Sequence, residues 1–157
     1  DSLRAQKGVL LSSQDIFEGT LLENISMGRP SIEPAKVMAM AGRLGLADFI
    51  RQNPEGLLMP LHPTGNRLPG RIIHRILLLR AIITSPGLLL LEEPWQGEDA
   101  ETAQAIRQLL LDEFPGNTML VSTNDPDFAC DCDRIVLIEN GRTIWSGNWQ
   151  EYQTLNK

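Results

Sequence analysis

The chain has 157 residues, 42% of them apolar and 22% charged, with a net charge of −6. This length and balance suit one ordinary soluble domain with a real core and exclude a disordered chain. The acidic balance, with no Lys/Arg stripe, argues against nucleic acid as the main partner. No apolar run approaches the ~20 residues needed to span a bilayer. The longest candidate, Ile72 to Leu91, is broken by His74, Arg75, Arg80 and the Ser85-Pro86-Gly87 turn. The opening DSLRAQKG has no apolar signal-peptide region, and it begins on Asp rather than Met, which points to a piece of a longer protein.

Lys7 to Ser13 (KGVLLSS) reads as a short apolar strand, and EGTLLENISMG after it as one or two helical turns. Pro34 suits the first turn of a helix that carries Val37, Ala41 and Leu44 on one face. A short helix, Leu46 to Gln52, stops at Asn53-Pro54-Glu55-Gly56, and a turn-rich loop, His62 to Gly70, follows. Arg71 to Thr84 is apolar on nearly every side, which predicts a helix buried on most faces. Ser85-Pro86-Gly87 ends it. Leu88 to Glu92 (LLLLE) then reads as a strand buried on both faces, as in a parallel sheet. Asp99 is a good N-cap for a helix from Ala100 to Phe114, with Ala103, Ile106, Leu109 and Leu110 on one face.

Thr118 to Ser122 (TMLVS) reads as another buried strand. RIVLIE and RTIWSG flank Asn140-Gly141, a strong hairpin turn, and Asn148 to Leu155 reads as a closing helix. This order predicts an α/β fold with a mostly parallel sheet. Cys130 and Cys132 have one residue between them and no His or Cys nearby in sequence to complete a zinc set, so they read as reduced thiols. His62 and His74 form no metal or catalytic spacing.

LLLLEEPW (Leu88 to Trp95) holds the chemistry. In an open parallel sheet, ligands bind at the carboxyl ends of strands, so a greasy strand ending in Glu92 and Glu93 delivers two carboxylates to that rim. One can orient Mg²⁺, and the next can orient or deprotonate a water that attacks a phosphate. From LLLLEE alone, a core strand that happens to end in a charged turn is the better reading, because apolar runs followed by acids are common. The surroundings add WQGEDAET directly after, RLPGRIIHRILLLRAI before, and TMLVSTND and DRIVLIENGRTIWSG after.

In this order and spacing the blocks resemble the ATP-binding domain of an ABC transporter, in particular the exporter type, over almost the whole chain. The resemblance implies a P-loop NTPase-like (ABC ATPase) partial domain with a mostly parallel sheet, a helical subdomain and a C-terminal β-hairpin. Residues 26–86 would form the helical subdomain and signature helix, with 1–25 and 87–157 forming the catalytic-core portion. LLLLEEP looks like the Walker B strand plus catalytic glutamate. Glu93 then takes the place of the general base, and Glu92 that of the aspartate that positions Mg²⁺, with a water absorbing its extra methylene. QGEDAET resembles the D-loop, with Asp99 matching its aspartate, although Asp99 suits an N-cap in any case.

Leu68, Pro69, Gly70 and Arg71 align with the signature that normally reads LSGGQ. Only Leu68 and Gly70 match; Pro69 replaces the serine, and Arg71 could supply positive charge. Asn124 takes the place of the switch histidine; it can bond a phosphate but cannot shuttle protons. The family glutamine of the Q-loop, which contacts the metal, falls at Ser12, and Gln14 could substitute through a small loop shift. Phe17 to Asn24 is then the candidate contact with the membrane-spanning domain. The chain contains no G-x-x-x-x-G-K-[ST], which in the family lies upstream and supplies most contacts to ATP.

The resemblance implies ATP and Mg²⁺ as ligands in the intact protein and a second nucleotide-binding domain as partner. It places the segment, itself soluble, at the cytoplasmic face of a bacterial inner membrane. This piece alone is expected to be inactive. The alternative is a pseudo-ATPase module that only binds a partner.

Overall fold

The computed structural model describes residues 7–63 and 68–155. The start of the LRAQKGVLL segment, residues 3–6, and the loop positions 64–67 lie outside the described residues. Cα packing divides the chain into two compact units, Asp1–Thr123 and Asn124–Lys157.

The first unit opens with β1 (Lys7–Leu10), which stops short of the expected Ser13 because Gln14 N bonds back to Leu11 O at 3.0 Å and closes a turn. Then come β2 (Gly19–Thr20) and helix α1 (Leu21–Ser26). Thr20 and Glu23 form a reciprocal capping box at the start of α1. Helix α2 (Pro34–Arg43) begins on its proline, and Val37, Ala41 and Leu44 are all fully buried, as the spacing predicts. Helix α3 (Ala47–Gln52) and a 3-10 turn (Gly56–Leu58) lead to β3 (Pro60–Leu61). The β2–β3 antiparallel pair was not expected, because two-residue strands are too short to carry a periodicity.

Helix α4 (Gly70–Ile82) is the centre of the core: Ile76, Leu78, Leu79 and Ile82 have no exposed surface. It lies directly on β1, where a Cβ at Gly8 would overlap the Ala81 carbonyl oxygen. Strand β4 (Leu88–Glu92) pairs in parallel with β1 on one side and with β5 (Thr118–Ser122) on the other. Helix α5 (Ala100–Glu113) joins them and buries Ala103, Ile106, Leu109 and Leu110.

The expected both-face burial of LLLLE needs correction. Leu89 and Leu91, level with Gly8 and Leu10 of β1, are buried, whereas Leu88 and Leu90 are only half-buried. Leu120, level with Leu90 on β5, is 65% exposed. One face of this sheet therefore holds the core, at about 1.5–3 kcal/mol per fully buried leucine. TMLVS is likewise not a buried strand: its residues alternate between exposed and half-buried.

The second unit begins with a 3-10 turn (Pro126–Asp131), followed by the hairpin β6 (Ile135–Glu139) and β7 (Arg142–Gly147). Asn140 and Gly141 take φ of 51° and 74°, the left-handed pair that a two-residue hairpin turn requires. Asn148 caps helix α6 (Trp149–Leu155) by accepting from Glu151 N at 3.0 Å, and Tyr152 packs against Trp145 and Trp149. Cys130 and Cys132 are free thiols.

Candidate functional site

The carboxyl ends of β1, β4 and β5 form one rim in the first unit. Glu92 closes β4, and its Oε2 accepts from Ser12 N at 2.8 Å, across from the end of β1. Bonding to Ser12 holds the Glu92 carboxyl below the usual carboxylate range. Gln14 sits in the same turn, where its Oε1 accepts from Leu11 N at 3.0 Å. At Glu93 the chain turns sharply, with φ of 43°. A non-glycine residue in the left-handed region is strained, and such strain gathers at functional turns. Two bonds to the end of β5 hold Glu93 there: its N–H donates to Ser122 O at 2.8 Å, and its Oε2 accepts from Thr123 Oγ1 at 2.9 Å. The structure thus brings Ser12, Gln14, Glu92 and Glu93 together.

The remaining sequence-derived residues lie on other elements. Leu68 and Pro69 lead into α4, and Gly70 and Arg71 open it. Pro69 has no capping side chain, and its carbonyl accepts from Ile72 N at 2.9 Å and Ile73 N at 3.2 Å. Asp99 caps α5 through Thr102, accepting from its N–H at 2.9 Å and its Oγ1 at 3.0 Å, which holds this carboxyl too below its usual range. Asn124 is exposed and belongs to the second unit.

Phe17 to Asn24, which runs through β2 into α1, is a heavily bonded segment. Asn24, fully buried, accepts from Phe17 N at 2.9 Å and donates to Phe17 O at 2.9 Å and Thr20 O at 3.0 Å. Arg80 of α4 donates to Asn24 O at 2.6 Å and Asn24 Oδ1 at 3.0 Å, and its guanidinium lies 5.4 Å from the Phe17 ring centroid. Phe17, Glu18, Glu23, Met27 and Gly28 line a shallow groove on this surface.

Sequence reasoning missed a second knot. Arg75 of α4 makes a two-pronged ion pair with Glu98, just before Asp99, and donates through Nη1 to Gly45 O at 3.1 Å. The available signal was an arginine inside an apolar helix, a position that demands a partner.

Among the described residues no group of three His, Cys, Asp or Glu is placed to hold a metal ion. The rim therefore offers no all-protein cage. It presents two adjacent carboxylates, Glu92 and Glu93, as oxygen donors.

A parallel sheet with an acid-tipped central strand, a helical block before that strand and a hairpin beyond is the α/β fold of ABC exporter ATPases. It superposes on a bacterial Atm1-family ABC exporter with ATP bound at a TM-score of 0.86 and 26% identity, covering 99% of this chain and 27% of that one. No protein-family model matches the chain. It is 32% identical over 147 residues to the uncharacterized ABC transporter ATP-binding protein YknV of Bacillus subtilis, covering 94% of this chain and 24% of the relative. It is 33% identical over 147 residues to the cyclolysin secretion/processing ATP-binding protein CyaB of Bordetella pertussis, covering 94% and 21%. The chain thus spans about a quarter of the length of the relatives it matches. In sequence and fold it corresponds to part of the ATP-binding domain of ABC transporters of exporter type.

Proposed function

We propose that this chain is a working part of an ATP-hydrolysing domain that couples ATP hydrolysis to export across a membrane. The observation that carries the proposal is the pair Glu92 and Glu93 at the carboxyl end of β4, beside the end of β1. Glu93 is the general base: its carboxylate polarises the attacking water, and the Thr123 hydroxyl orients it. Glu92, kept ionised by Ser12, and Gln14 would hold magnesium, Glu92 through a water. When bound with ATP, that ion neutralises charge on the phosphates. Leu68, Pro69, Gly70, Arg71, Ser12 and Asp99 face nucleotide, with Arg71 supplying the charge that Pro69 cannot. Asn124 bonds the γ-phosphate.

The Phe17–Asn24 segment meets a membrane-spanning domain, and a second nucleotide-binding domain completes each ATP site. Residues 26–86 are the helical portion, and 1–25 with 87–157 the core portion. The domain works at the cytoplasmic face of a bacterial inner membrane. No helix among the described residues is long and apolar enough to cross a membrane. The 157 residues contain no G-x-x-x-x-G-K-[ST], so alone they neither bind ATP tightly nor hydrolyse it.

The test reads the gene product upstream of Asp1 and measures its affinity for ATP. A GK[ST] loop after an apolar strand, with ATP binding lost on replacing its lysine, is the expected result. An upstream sequence without that lysine defeats the motor reading. It would favour a catalytically degenerate pseudo-ATPase that only binds a partner, a reading that Pro69 and Asn124 support.

A further inference from the structure

Two chain segments that the proposed function turns toward phosphate are joined by one buried ion pair. Arg75 follows Arg71 by one helical turn on α4, so the two share a face. Glu98 immediately precedes Asp99, the N-cap of α5, in the turn that starts at Glu93. The Arg75 side chain is 11% exposed and that of Glu98 only 1%. Nε donates to Oε1 at 2.6 Å and Nη2 to Oε2, a planar fork on a carboxylate. The third arm, Nη1, donates to Gly45 O at 3.1 Å in the turn between α2 and α3. Gly45 has φ of 67°, and a Cβ there would come within 2.8 Å of Arg75 Nη1. The turn is therefore shaped around the guanidinium.

We propose that Arg75 and Glu98 are positioning residues: the fork fixes the Glu93–Asp99 turn against the helix that carries Gly70 and Arg71 and against the α2–α3 turn. A buried ion pair is a weak source of stability, because desolvation offsets most of its attraction. Its geometry is what an apolar pair could not supply. A fork allows one orientation, while leucine and methionine in the same space allow several. Neither residue touches reacting atoms; both act through the placement of Glu93, Asp99 and Arg71. The kinetic consequence rests on the ATP-hydrolysing reading, whereas the structural consequence does not.

The experiment replaces the pair together, Arg75→Met with Glu98→Leu, in the full-length gene product that carries this sequence. Two measurements are made: amide hydrogen exchange and steady-state ATP turnover. Arg75→Lys, which keeps the charge and loses the fork, guards against misfolding of the double variant. The amides of Gln96 and Glu98, bonded within the turn at 3.0 and 3.3 Å, are expected to exchange about tenfold faster in both variants. Leu79 in the α4 core is expected to stay unchanged. Turnover is expected to show kcat lowered about tenfold or more with KM for ATP held within about twofold. Unchanged exchange in the turn, or parental kcat with the fork removed, overturns the positioning role. If the parent itself hydrolyses no ATP, the ATPase reading falls, and the exchange measurement still decides the clasp.

Discussion

Helix α4 carries two arginines that each fasten a distant segment, by different chemistry. Arg75 meets a carboxylate: bonding to Glu98 strengthens its hold on the proton. Arg80 is met mainly by neutral oxygens, the Asn24 carbonyl and amide oxygen and the Asp15 carbonyl, and burial weakens its hold while the Asp15 charge offsets part of that. The Arg75 knot holds the turn next to the paired carboxylates, where direction matters. The Arg80 knot holds the Phe17–Asn24 segment, which presents a surface. A charged fork gives one geometry, and a set of carbonyl acceptors tolerates adjustment.

The largest expected effect separates the two knots. In the 157-residue chain, Arg75→Ala leaves Glu98 as an unpaired buried carboxylate and is expected to cost about 3–5 kcal/mol in chemical denaturation. Arg80→Ala leaves only neutral acceptors short of a donor and is expected to cost about 1–3 kcal/mol. Equal losses would mean that the Glu98 charge finds other company.

Within the Arg80 knot, Asn24→Ala removes the acceptor for Phe17 N and the donor to two carbonyls. About 2–3 kcal/mol is expected, together with protease cleavage near Phe17 that the parent resists. On the Arg75 side, Asp99→Ala removes the cap of α5, and the expected result is faster exchange in the first turn of α5 with the rest of the helix unchanged.

The smallest effect is in acid. Glu92, Asp99 and Glu23 are each held below their ordinary carboxylate range by hydrogen bonds. A carboxyl depressed in the folded state contributes stability that is full above its unfolded value, about 4, and is lost as pH falls through the folded one. Melting temperature should therefore decline below about pH 4, and Glu92→Gln should make that decline shallower.

Much of this was legible in the chain. Pro34, Val37, Ala41 and Leu44 announced α2; Asn140-Gly141 announced the hairpin; Leu88 to Glu92 announced the acid-tipped strand. These signals are local, set by periodicity or backbone conformation. What escaped depends on distant partners. Arg75 and Glu98 are 23 positions apart, and Arg80 and Asn24 are 56 apart. The half-open sheet also escaped: a run of leucines says that burial is wanted, but the packing of α4 on β1 decides which face receives it. Of the site, Ser12 with Glu92 and Glu93 with Thr123 could be placed only once β1, β4 and β5 were in register.

The most direct measurement is magnesium-dependent ATP turnover by the full-length gene product with Glu93→Gln. A drop of about a hundredfold or more, with ATP still bound and the protein folded, is expected if Glu93 polarises the attacking water. Turnover equal to the parent's would remove Glu93 as the base and contradict the assignment of this rim to hydrolysis.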